Sequence, residues 1–165
     1  MTVIAALAVL PAGIILWNLF ALSRSTRAFI ANTEPVRQLS DEERAALAFM
    51  VSRKISFTHF AGVTALPIGK LQTAQGRAAA VYQLRGPLQI SGYTTQWGGE
   101  VHYSIENVEV YMANSQLSDF MTEYNVVEVV FCKKVGIVLS CNDTYSMVDV
   151  SNAMKARWDS PEMQE

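Results

Sequence analysis

From Thr2 to Leu22 the chain reads TVIAALAVLPAGIILWNLFAL, without one charged side chain and with only Thr2 and Asn18 as ordinary polar residues. At 1.5 Å of rise per residue, about 21 residues make about 31 Å of helix, the hydrocarbon thickness of a bilayer. A cleaved signal peptide wants a basic residue before the apolar run and small residues at a cleavage site. No Lys or Arg precedes Thr2, and Leu19–Ser23 offers no A-x-A pattern. A retained transmembrane helix over residues 1–23 is therefore favoured over a signal peptide or a buried soluble helix. Pro11 and Gly13 are tolerated in such helices, and Trp17 falls near the end of the span, where interfacial aromatics sit.

Arg24 and Arg27 flank the span, Arg37 follows, and no basic side chain stands before it. The positive-inside rule then puts the amino terminus outside and the following domain in the cytoplasm, with the lipid bilayer as its first partner. All 13 basic and 15 acidic residues lie beyond the apolar stretch, for a net charge of -2. A domain so close to neutrality has no broad electrostatic footprint for nucleic acid.

Beyond the span, residues 24–38 read as a juxtamembrane connector, 39–150 as one α+β domain and 151–165 as a tail. Ser40 with Glu43 makes a capping box, Asp41 and Glu42 fill the first turn, and Leu47, Met50 and Val51 share a face. The spacing predicts a helix over Asp41–Lys54, closed by Arg53 and Lys54. From Ile55 to Ala80 glycines and prolines punctuate an irregular stretch with room for one short strand. A β region follows, in which Pro87 marks an edge or a bulge and Trp97-Gly98-Gly99 a turn.

In the next strand Val101, Tyr103 and Ile105 are apolar at odd positions, but Val108, Val110 and Met112 at even ones. A strand cannot flip parity without sending half its apolar set to solvent, so a bulge or a turn is expected at Glu106-Asn107. Leu117, Phe120, Met121 and Tyr124 have helical spacing, which predicts a second helix over Ser115–Tyr124 ended by a left-handed Asn125. Two β-branched strands follow, joined through Lys133, Lys134 and Gly136. In the tail, Met154 and Trp158 share a helical face. The expected fold class is α+β: one amino-terminal transmembrane helix, then a small bent antiparallel β-sheet, an OB-like partial barrel with the two helices packed on it.

No catalytic, cofactor-binding or metal-ligating spacing occurs, and no cofactor is expected. His59 lies in the irregular stretch, far in sequence from any carboxylate or cysteine. His102 alternates with Val101 and Tyr103 and reads as a solvent-facing strand residue rather than a base. Cys132 as a nucleophile needs a base and an electropositive niche, yet Lys133 follows it on the opposite strand face. Glu106, Glu109 and Glu128 suit the wet side of half-exposed strands better than acid–base work. Tyr82, Tyr93, Trp97 and Tyr103 fit a core or a surface better than base stacking. Cys132 and Cys141 are expected reduced in a cytoplasmic domain. Only in a periplasmic one would they form a disulfide, closing a hairpin that turns near Gly136.

The order of the pieces resembles a known family. The span ends in arginines, and Leu39-Ser40-Asp41-Glu42-Glu43-Arg44 follows. Then come the strands Asn107-Val108-Glu109-Val110-Tyr111-Met112, Asn125-Val126-Val127-Glu128-Val129-Val130 and Ile137-Val138-Leu139-Ser140-Cys141-Asn142. Residues 1 to about 145 are similar, in order and spacing, to the amino-terminal part of the intracellular growth attenuator family of enterobacterial inner-membrane proteins. The resemblance implies a bacterial inner-membrane protein whose first soluble region is cytoplasmic, and the one apolar stretch of this chain makes the expectation single-pass. Its members restrain the Rcs envelope-stress phosphorelay by holding its phosphotransfer protein inactive, and they continue into further spans and a periplasmic sensing region. This chain stops at Glu165, so the likeness implies the contact module without the sensing half.

The expected function is a non-enzymatic membrane regulator or accessory subunit. Its domain would bind a membrane protein partner, a phosphorelay component or a larger membrane complex, and not nucleic acid. The alternatives are a small membrane-anchored enzyme or ligand-binding barrel, marked by His102 or Cys132 meeting a carboxylate, and a periplasmic disulfide-stapled adaptor.

Overall fold

The computed structural model describes residues 24–53, 57–58, 80–95, 98–113, 117–132 and 135–158. Thr2–Leu22, His59 and Trp97 lie outside them, as does the side chain of Tyr93. No helix of the described residues is long and apolar enough to cross a membrane.

Residues 24–32 are helical (α1) and lead into β1, Arg37–Gln38. Helix α2, Asp41–Ser52, starts where the capping box puts it: Ser40 Oγ accepts from the Glu43 N–H, and the Glu43 carboxylate accepts from the Ser40 N–H. Its buried face holds Ala46, Leu47 and Met50. The helix ends at Ser52 with Arg53 as its C-cap, and the Arg53 guanidinium lies over the Trp158 ring, 5.0 Å from its centroid.

Seven further strands follow β1: β2 Phe57–Thr58, β3 Ala80–Gly86, β4 Gln89–Thr95, β5 Gly98–Ile105, β6 Val108–Ala113, β7 Asn125–Cys132 and β8 Val135–Cys141. The sheet runs β1-β3-β7-β8-β6-β5-β4, with β2 on β6 and a two-residue β9, Tyr145–Ser146, on β8. Gly98 and Gly99, expected in a turn, are paired in β5, and Gly136 is paired in β8.

The sheet is mixed rather than antiparallel, because β6 and β8 run parallel. Strand β7 lies between them in sequence and supplies the return that a parallel pair requires. At Pro87, where an edge or a bulge was expected, the chain turns a corner. Gly86 has φ 142, a conformation that favours glycine, and β3 before it pairs with β7 while β4 after it pairs with β5.

The parity flip is a turn. Glu106 and Asn107 both have positive φ, 52 and 60, and Ile105 pairs directly with Val108. That is the backbone of a two-residue hairpin turn matched to the twist of its strands.

The second helix departs from expectation. Among the described residues of that stretch only Leu117–Phe120 is helical, as one short 3-10 turn. Asparagine side chains take the backbone groups that an α-helix would use. Asn125 Oδ1 accepts from the Thr122 N–H, Asn125 Nδ2 donates to Thr122 O, and Asn142 Nδ2 donates to Phe120 O. Asn125 itself starts β7 and is not a left-handed cap.

The carboxyl end is more ordered than a tail. Helix α3, Met147–Trp158, runs through the 150/151 boundary and packs on α2, with Lys155 Nζ 5.3 Å from the Phe49 ring. Residues in 24–38 also pack against the domain. Phe29 joins Tyr82 and Phe131 in a three-ring cluster with centroids 5.2–6.2 Å apart, and Thr26 is buried. The core draws on nearly every element, and all six residues of β6 are buried.

Candidate functional site

Two polar clusters stand out against this apolar core. The first gathers three separate stretches of chain. Arg37, on β1, forks onto Glu43 with Nη1 and Nη2 each 2.7 Å from a carboxylate oxygen. The same guanidinium donates through Nε and Nη2 to Glu128 Oε2 on β7, and Ser140 Oγ on β8 donates to that oxygen as well. Planar, two-sided donation of this kind is what arginine offers and lysine cannot.

Burial pushes the Glu43 carboxyl up, but its bonds from Arg37 and from the Ser40 N–H outweigh it and leave the pKa below the usual range. Bonding to Glu43, then to Glu128, raises the Arg37 pKa further above its ordinary value. In the sequence Arg37 reads only as a flanking charge and Glu128 as a wet-side acid. The capping box is the one signal that touches this cluster.

The second cluster lies within one hairpin. Ser104 pairs with Glu109, so residues two apart on each strand, His102 and Ser104, Glu109 and Tyr111, share a face. His102 Nδ1 donates to Glu109 Oε1 at 2.7 Å, and Tyr111 Oη donates to the same oxygen at 2.8 Å. The His102 and Glu109 side chains are 13% and 6% exposed. The expectation of a solvent-facing His102 and a wet-side Glu109 is therefore corrected: the polar face of this hairpin is covered. A carboxylate that orients an imidazole is half of an acid–base arrangement.

Cys132 pairs with Val135, and Val135 pairs with Glu109. The cysteine thus shares the face of Glu109 two strand spacings away, roughly 9–10 Å, beyond hydrogen-bond reach. Of the other weighed acids, Glu106 is exposed and accepts from the Arg85 N–H at 3.0 Å. Among the described residues no group of three or more His, Cys, Asp or Glu side chains is placed to hold a metal. Tyr82 belongs to the ring cluster with Phe29 and Phe131, and Tyr103 is buried, so neither presents a stacking face.

Cys132 and Cys141 are both buried, and neither is in a disulfide. Cys132 faces Val135 at one end of the β7–β8 ladder, whereas Cys141 faces Val127 at the other. Five residues of strand, roughly 17 Å, separate those ends, well beyond the 4.4–6.8 Å of a disulfide's Cα atoms. The close approach expected of a hairpin turning near Gly136 is absent because Gly136 is itself laddered, opposite Phe131. Burial also pushes the Cys141 thiol up to about 11, where it is inert at neutral pH. Arg24 and Arg27 are exposed on α1.

The family model described as "Intracellular growth attenuator protein IgaA" matches residues 1–164. No curated protein matches the chain. One solved chain, described as "Shotgun proteolysis: A practical application", is similar at 19% identity with a TM-score of 0.40, over 71% of this chain and 97% of that one.

Proposed function

The chain belongs to the intracellular growth attenuator family, whose members are membrane-associated regulators of the Rcs system, and on that premise we propose a single-span inner-membrane regulator. Its cytoplasmic α+β domain binds a membrane-associated protein partner and does no chemistry of its own. The observation that carries this reading is the family match over residues 1–164, which takes in the apolar stretch and the domain together. The uncharged run Thr2–Leu22 followed by Arg24 and Arg27 supports the span and its orientation.

The domain reads as an OB-like barrel. With β3 and β4 taken as one strand bent at Gly86, the ladders run from that strand through β5, β6, β8 and β7 back to it. Five strands in that ring, with a short helix before β7, support the assignment.

The test is crosslinking in intact membranes followed by mass spectrometry, with protease added from the periplasmic side in parallel. The expected result is a reproducible membrane-protein partner linked to the domain and a protected domain. Digestion from the periplasmic face would overturn the orientation, and crosslinks to lipid alone would overturn the regulator.

The His102–Glu109 contact favours a second reading, a ligand-binding barrel. Small molecules screened against the His102 imidazole resonances decide it: a saturable shift establishes the ligand site, and a silent screen removes it.

A further inference from the structure

We infer that the β5–β6 turn, with the end of β3 beside it, is a lipid-contacting surface that rests in the phospholipid headgroup layer. The inference rests on the span proposed above and goes beyond it, from the presence of a membrane to the face of the domain that meets it.

Chain length sets the reach. Ser25 stands three residues after Leu22, the last residue of the apolar stretch. Three residues cover about 4.5 Å as helix and no more than about 11 Å fully extended. The headgroup region adds roughly 5–8 Å beyond the hydrocarbon core on each side. Ser25 therefore lies in or at the edge of the headgroups. Its hydroxyl donates to the Asn107 carbonyl at 2.7 Å, which carries the β5–β6 turn to the same depth. Glu106 in that turn accepts from the Arg85 N–H, which adds the end of β3.

Helix α1 does not swing away from this position. Thr26 is buried, and one turn further on Phe29 is packed against Tyr82 and Phe131. The exposed side chains near this pole are Arg24, Arg27, Arg85, Glu106 and Asn107. Three cations and a carboxylate suit a layer of phosphates and amines, the Arg85 guanidinium being held there by donating through Nε and Nη2 to Gln83 Oε1. The opposite sense of the domain is also fixed. Gln38 pairs with Ala80, five residues and roughly 17 Å along β3 from Arg85.

The experiment places the full chain in nanodiscs of phosphatidylethanolamine and phosphatidylglycerol, a fraction of the lipids bearing a paramagnetic headgroup. Amide signal loss is read by NMR against a diamagnetic control. The expected result is at least a twofold greater loss at Asn107 and Val108 than at Gln38 and Glu43. A chain that stays with the discs but shows equal loss at both sets would overturn the surface and leave the span standing. A chain that separates from the discs on gel filtration would overturn the span, and this inference with it.

Discussion

The two carboxylate clusters answer the same physical problem in opposite ways. Glu109 is hydrogen-bonded from within its own hairpin, by His102 seven residues away and Tyr111 two away. Glu128 is neutralised by Arg37, 91 residues distant, and the same guanidinium also holds Glu43. A local pair can form as soon as one turn closes. The Arg37 clamp exists only when β1, α2 and β7 have all arrived. The first rigidifies an element, and the second reports that the whole domain is assembled.

Truncating the clamp is expected to have the largest effect. Arg37→Ala leaves two acids facing each other without a cation, and the expected loss is about 2–3 kcal/mol in denaturant unfolding. That figure is kept below the cost of a fully buried pair because Arg37 is 36% exposed. Arg37→Lys is expected to recover less than half, since one ammonium cannot fork onto both carboxylates. A loss under about 1 kcal/mol would place the clamp with ordinary surface pairs and erase the contrast.

Acid should sharpen the contrast next. The Glu43 pKa is lowered on folding, so its contribution is present above the unfolded value near 4.5 and fades as pH falls through the folded one. Stability measured from pH 7 to pH 3 is expected to fall more steeply in the wild type than in Arg37→Ala. Parallel curves would show that Glu43 is not held by the arginine.

The hairpin cluster is expected to give less. Tyr111→Phe removes one neutral-donor bond to Glu109 and should cost about 1 kcal/mol by the same measurement. Its kinetic signature separates the clusters. Tyr111→Phe is expected to slow folding, whereas Arg37→Ala mainly speeds unfolding, because long-range contacts close late. The reverse pattern in a stopped-flow chevron would break the comparison.

Much of the fold was legible in the sequence. The capping box at Ser40 and Glu43 placed the start of α2 to the residue, and the parity flip located the turn at Glu106-Asn107. What alternation could not say is whether the polar face of a strand is wet. Glu109 and Tyr111 alternate with Val108, Val110 and Met112 as in any half-exposed strand, yet all of β6 is buried. The Arg37 cluster was less legible still, because nothing in local spacing joins residues 37 and 128. The parallel ladder depends on the order in which strands return to the sheet, which no single strand encodes. The failed helix after Ser115 turned on Asn125 and Asn142, whose side chains compete for the backbone from outside the apolar pattern.

The corner at Gly86 has a consequence for how this domain can vary in length. An extra residue inside a laddered strand slips the register and turns every later side chain to the wrong face. At Pro87–Leu88 the two flanking ladders are set independently, β3 by β7 and β4 by β5. An insertion there would be taken up as slack, with neither pairing displaced. The corner is therefore the place in the sheet where related chains are free to gain or lose residues while both halves keep their partners.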